Sequence, residues 1–129
     1  MAIRIISGNL KGKKINHLKN STTRPLKDSV KENIFNILMH SNLFNVKLNG
    51  SNVLDLYSGV GSFGIECISR GAEKVTFVEK DKLASMTLKK NLLNLSIIDK
   101  TKIFSDDIDR VLKKKFIQKF NIFFLDPPF

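Results

Sequence analysis

Cysteine is almost missing from this chain: Cys67 is the only one in 129 residues, so no disulfide can form within it. Histidine is as scarce. His17 and His40 stand far apart, and with one thiol beside them they are too few soft ligands for a zinc site, so no metal is expected. Cys67 reads instead as a small buried apolar residue. Long apolar runs are lacking too. Stretches such as Ile122-Phe123-Phe124-Leu125 fall far short of the ~20 residues that span a bilayer. Arg4 interrupts the apolar N-terminus, which lacks the layout of a signal peptide. A cytoplasmic protein with no membrane partner is the expectation.

Acidic residues are the other deficit, 12 Asp and Glu against 22 Lys and Arg, for a formal charge of +10. The imbalance is local. Residues 1–31 carry Arg4, Lys11, Lys13, Lys14, Lys19, Arg24, Lys27 and Lys31 against Asp28 alone, which is +7 of that total. A basic end on a nearly balanced body suits a polyanion, because each neutralised phosphate releases counterions. A Lys-rich composition with a solvated face would give the same charge, so both readings stay open on charge alone. With 42% hydrophobic and 26% charged residues, the chain has material for one globular core.

Residues 3–6 and 14–18 read as two short extended runs around a turn between Gly8 and Gly12, a hairpin. A polar connector with Arg24-Pro25 precedes a helix, where Ser29 and Glu32 have capping-box spacing and Asp28 is the competing cap. Val30, Ile34, Ile37 and Leu38 are expected on its buried face. From Ser51 onward, apolar runs at 52–57, 74–78, 102–104 and 121–125 alternate with helical stretches near 62–70, 81–94 and 107–115. That alternation predicts an α/β fold, a Rossmann-like parallel sheet with crossover helices behind an N-terminal β-hairpin. Residues 1–27 form the basic extension and 28–129 the main domain. The sequence stops at Asp126-Pro127-Pro128-Phe129, after the fourth strand, and four strands would leave an apolar edge exposed; further C-terminal strands are expected to be missing.

Chemistry concentrates where strands run out. Val53 to Gly64 is a strand, a glycine turn and a helix start, and Gly59-x-Gly61-x-x-Gly64 lets the backbone turn tightly beside free helix N–H groups. Alone, it serves nicotinamide cofactors and S-adenosylmethionine equally. Tyr57 belongs to the same cofactor-facing turn. Glu79 ends the second strand, 20 residues beyond Gly59, where a carboxylate can accept both hydroxyls of an adenosine ribose. Asp55 tips the balance: before the glycines it would repel a pyrophosphate, but it can face the cationic methionine portion of S-adenosylmethionine. After the third strand, Asp107, or Asp106 beside it, could accept from the adenine amino group; equally, one of them is only the helix cap.

Asp126-Pro127-Pro128-Phe129 ends the fourth strand, the edge where α/β sheets place ligands. Two prolines stiffen the backbone, so the Asp126 carboxylate and the Pro127 carbonyl can accept both hydrogens of one amino group. Those bonds would aim the nitrogen lone pair at a methyl donor and offset the charge that develops on transfer. Phe129 can stack on a base, worth about 1–3 kcal/mol. A plain strand stop is the bland alternative.

With these motifs in view the chain resembles the RsmD family of 16S ribosomal RNA guanine-N2 methyltransferases along essentially its whole length. The resemblance runs through Arg4-Ile5-Ile6-Ser7-Gly8, Lys11-Gly12-Lys13-Lys14, Arg24-Pro25, the helix from Val30 to Leu38, the glycine loop, Ser69-Arg70-Gly71-Ala72, Val78-Glu79-Lys80-Asp81 and the closing tetrapeptide. It implies S-adenosylmethionine as cofactor, a monomer, and a guanine of 16S rRNA within the 30S subunit or an assembly intermediate as substrate. It also implies that Arg4, Lys11, Lys13, Lys14 and Arg24 grip phosphate while a flipped-out base enters the pocket. Leu26 departs from the usual Thr after Arg-Pro, and family members continue well past the tetrapeptide. The Asp-Pro-Pro-aromatic motif is shared with DNA adenine-N6 methyltransferases, the alternative activity. A chain that binds cofactor or RNA without turnover is the alternative of another class. A nicotinamide oxidoreductase is the weakest reading, because it leaves Asp126 to Phe129 unexplained.

Overall fold

The computed structural model describes residues 2–18, 28–40, 47–114 and 120–127. Along the chain run β1 (Ala2–Arg4), β2 (Lys14–Asn16), α1 (Asp28–His40), β3 (Asn52–Leu56), α2 (Ser62–Ser69), β4 (Lys74–Val78), α3 (Lys82–Asn94), a 3-10 turn, β5 (Thr101–Phe104), α4 (Ile108–Leu112) and β6 (Ile122–Leu125). β1 and β2 pair antiparallel, and the other four strands form one sheet in the order β5-β4-β3-β6. All pairings in that sheet are parallel. The chain therefore steps outward from β3 to β5 and then returns to the far side of β3, which opens a crevice above the carboxyl ends of β3 and β6.

Side chains alternate between two faces. Val53, Val75, Phe77 and Ile122 join the main core, while Leu54, Leu56 and Val78 meet Val111 of α4 on the other side. Every residue of α2 is buried, which suits a helix enclosed on all sides. The sheet covers one flank of α2; the hairpin and α1 cover others, through Ile6 and Ser7 N–H bonds to Glu66 and a stack of Phe35 on Phe63 at 5.1 Å. Ile3, Ile5 and Ile15 of the hairpin belong to the same core. β6 is an edge strand whose Phe123 and Leu125 are each 63% exposed, on the face that only short α4 covers among the described residues. No helix of the described residues is long and apolar enough to cross a membrane.

The parallel strands and α2 and α3 lie within a residue or two of their expected bounds. The hairpin strands are shorter than expected, ending at Arg4 and Asn16. α1 begins at Asp28, so Asp28 and Ser29 already sit in its first turn, where the acidic Asp28 favours the helix dipole. Its buried face differs from the expected one. Val30 and Ile37 are exposed, while Lys31 and Phe35 are fully buried beside partly buried Ile34 and Leu38.

The reason is an ionic cluster that the apolar pattern conceals. Lys31 Nζ lies 3.3 Å from Glu66, and Arg70 pairs with the same carboxylate at 2.9 Å. Lys31 also donates to Ser62 Oγ at 3.2 Å, and the Arg70 guanidinium covers the Phe35 ring. A buried charge is tolerated only when paired and hydrogen-bonded, and Glu66 supplies both. Lys31 is thus removed from the basic surface to which its charge had assigned it.

Candidate active site

Register places three expected residues, Glu79, Tyr57 and Asp126, in a row with Ser105. Leu56 pairs with Val78 and with Leu125, and Val78 pairs with Phe104. The next residue on each strand therefore reaches the same carboxyl edge, in the order Ser105, Glu79, Tyr57, Asp126. With strands spaced roughly 4.8 Å, the backbones at Glu79 and Asp126 stand roughly 10 Å apart. β3, between them, carries the glycine turn.

That turn departs sharply from the strand. Tyr57 takes φ 56 and Gly59 φ 57, and Gly61, which caps α2, takes φ 99. A left-handed backbone is rare for an aromatic residue and clusters at functional turns. Gly64 has another reason to lack a side chain: a Cβ there would collide with the Phe77 ring, so the helix could not lie against β4. At Gly59 a Cβ would meet nothing within 4 Å, which leaves open space over the turn.

Three carboxylates organise this edge. Asp55 is 1% exposed, and its Oδ2 accepts the Gly64 N–H at 3.1 Å. Burial pushes its pKa up to about 8; the Gly64 bond opposes that shift, and the charges of Asp126 and Glu79 add to it. Glu79 is held by two backbone donors, Gly59 N–H at 2.8 Å and Asp81 N–H at 2.9 Å. The second strand end is thereby tied to the turn of the first. Asp126 is exposed beside half-buried Pro127. Buried Ser58 Oγ has no hydrogen-bond partner among the described residues.

The matching family model, described as conserved hypothetical protein 95, covers residues 3–129. Ribosomal RNA small subunit methyltransferase D of Haemophilus influenzae is 39% identical over 98% of this chain and 64% of its own length. The Bacillus subtilis protein YlbH is 36% identical over 98% of this chain and 67% of its own length. The chain belongs to the RsmD family. Its architecture is the Rossmann-like methyltransferase fold, and the solved Escherichia coli protein yhhF, 32% identical, matches it with a TM-score of 0.85 over the whole chain and 66% of that protein. This RsmD-family chain thus spans about two thirds of the length of the relatives it matches.

Within the RsmD-family chain, Asp55, Tyr57, Gly59, Gly61, Gly64, Glu79 and Asp126 all meet at one sheet edge or on the turn directly beneath it. Asp107 sits further along, as the cap of α4, its carboxylate accepting from Asp109 N–H at 3.1 Å. Asp106 accepts from Asp107 N–H at 2.7 Å. Arg4, Lys11, Lys13 and Lys14 are exposed on the hairpin. Arg24, Pro128 and Phe129 lie outside the described residues. Sequence reasoning passed over Lys31, Glu66 and Asn91. Glu66 did carry a signal: a lone acid within Phe63-Gly64-Ile65-Glu66-Cys67-Ile68 is as costly there as Asp55 is in its strand.

Proposed function

We propose that this protein transfers a methyl group from S-adenosylmethionine to the exocyclic N2 of a guanine in 16S rRNA. The observation that carries the reading is the row of Glu79, Tyr57 and Asp126 at the switch point, above buried Asp55. The residues fit the cofactor on three counts: a buried carboxylate with a raised pKa, open space over Gly59, and an orphaned Ser58 hydroxyl. Bound over the turn, S-adenosylmethionine would supply an electrophilic methyl on a cationic sulfur.

The chain's own residues do the rest. Asp55 faces the amino group of the methionine portion, and a cation there draws the carboxyl back to its ionised form. Glu79, oriented by its two backbone donors, accepts from the ribose hydroxyls. Asp107, with Asp106 the alternative, accepts from the adenine amino group. Asp126 and the Pro127 carbonyl take both hydrogens of the target amino group and orient its lone pair, while Phe129 stacks on the base. Residues 1–27 serve as the RNA-binding extension, Arg4, Lys11, Lys13, Lys14 and Arg24 holding phosphate, and residues 28–129 as the methyltransferase domain. The protein acts as a monomer on the 30S subunit or an assembly intermediate.

Transfer of radiolabelled methyl to 30S particles lacking the modification tests this reading, comparing the chain, its Asp126→Ala variant and a form of the relatives' length. Label in guanine N2 that disappears with Asp126→Ala is the expected result. Label in DNA adenine, and none in rRNA, would reassign the substrate. Exposed Phe123 and Leu125 on β6 favour a second reading, in which this length of chain binds cofactor and RNA without turnover; activity confined to the longer form supports that one.

A further inference from the structure

Asn91 stands in the last turn of α3 and is 2% exposed, although nothing apolar about it explains its burial. Its side chain bonds in two directions. Toward the hairpin, Oδ1 accepts the Asn16 N–H at 2.9 Å and Nδ2 donates to the Asn16 carbonyl at 3.1 Å. Toward the glycine turn, Nδ2 donates to the Val60 carbonyl at 3.1 Å. A primary amide has two donor hydrogens and one carbonyl, and here each of these has a partner. One side chain therefore clamps the last residue of β2 and the peptide between Gly59 and Gly61 to the same point.

The packing around it converges on that point. One turn earlier on α3, Leu88 packs where a Cβ of Gly61 would stand, so α3 is the bed of the turn as well as of the strand. The hairpin's other anchor is elsewhere: Ile6, Ser7, Asn9 and Leu10 bond to Glu66 and Ser69 of α2. β2, which begins at exposed Lys14, thus has its own tie at its far end, Asn16, and that tie runs to the turn.

We propose that Asn91 is a positioning residue that couples the basic hairpin to the glycine turn. The proposal rests on the reading of the turn as the S-adenosylmethionine cradle and of the hairpin as the phosphate grip. Whatever orders the turn then also orders the β2 end, and by linkage RNA held by the hairpin strengthens cofactor binding by the same factor. Asn91 touches neither ligand; it acts through Val60 and Asn16.

Hydrogen exchange on the full chain tests it, with the Asn91→Ala variant and, because that change removes packing, the near-isosteric Asn91→Asp. The latter keeps the acceptor for Asn16 N–H and abolishes both donated bonds when ionised, retaining at most one when protonated. Without ligand, exchange at residues 14–16 and 58–62 should rise together, roughly tenfold for the loss of such bonds. Residues 6–10, held by α2, and strands β3 and β4 should not change. A purely structural residue would raise exchange throughout. With S-adenosylhomocysteine added, wild type should gain protection in both segments and the variants only in 58–62. Unchanged exchange at 14–16 in both variants, or protection that still reaches 14–16 in them, overturns the proposal. If S-adenosylhomocysteine protects neither segment in wild type, the cofactor reading and the ligand coupling fall together, while the tie itself still stands or falls on the ligand-free exchange.

Discussion

Asp55 Oδ2 accepts the backbone N–H of Gly64 across 3.1 Å, so the end of an apolar strand and the first turn of a buried helix are joined through a carboxyl that water barely reaches. One N–H bond does not offset the loss of hydration, and the neighbouring charges of Asp126 and Glu79 oppose ionisation further. The carboxyl is thus disfavoured in its charged form and is ready for a cationic partner.

A pH dependence follows. The folded pKa, about 8, lies above the unfolded value of 3.8, so the folded state holds a proton that the unfolded state has released between those limits. This group's contribution to stability is complete below about pH 4 and is lost as pH rises through 8. Asp55→Asn, which keeps an acceptor for Gly64, should raise the urea midpoint little at pH 5 and clearly at pH 8.5. The same variant should weaken S-adenosylmethionine binding at least about tenfold by calorimetry, because the proposed role gives the ammonium no other countercharge than Asp55.

Glu79→Ala frees two backbone N–H groups, that of Gly59 in the glycine turn and that of Asp81 at the cap of α3. At about 1 kcal/mol for each lost bond, stability should fall by ~2 kcal/mol. Affinity for S-adenosylhomocysteine should fall further than that of Glu79→Gln, which keeps one acceptor. Equal affinities would remove Glu79 from the ribose role.

Glu66→Gln leaves the fully buried Lys31 ammonium without its countercharge, and this should cost about 3–5 kcal/mol in denaturant unfolding. The double variant Lys31→Met with Glu66→Leu should recover part of that loss, because two charges leave the interior together. A double variant no more stable than Glu66→Gln would show that hairpin docking through the Ile6 and Ser7 N–H groups, and not the ion pair, is what Glu66 supplies.

Replacing Lys11, Lys13 and Lys14 by Gln should leave S-adenosylhomocysteine binding intact and flatten the salt dependence of RNA binding. Each phosphate that is no longer neutralised takes roughly 0.7 off the slope of log K against log salt on single strands, so the triple variant should flatten it by about 2. An unchanged slope would place the RNA on another face.

Much of this molecule was legible in its sequence because strand and helix periods are local properties. Continuous apolar runs marked the parallel strands, and the glycines with Glu79 and Asp126 marked strand ends, which parallel topology gathers at one edge by necessity. What chain order cannot express is the partner across space. Val30 and Ile37 were expected inside because they are apolar, and Lys31 outside because it is charged; Glu66, 35 residues later, reverses both. That Asp107 caps α4 through one carboxylate oxygen on Asp109 N–H could not be fixed from the sequence, where Asp106 was an equal candidate; its second oxygen stays available to a ligand. Asn91 gave no signal at all, since a polar residue in a helix is ordinary until both its neighbours prove to be backbone groups 75 and 31 residues away. The sequence by itself determined the order and type of the elements and, within a residue or two, where each parallel strand ends, since these follow from side-chain period and backbone preference. Only the tertiary structure decided which polar groups are buried and what each is bonded to, because burying a polar group is favourable only with a partner that folding brings from elsewhere in the chain.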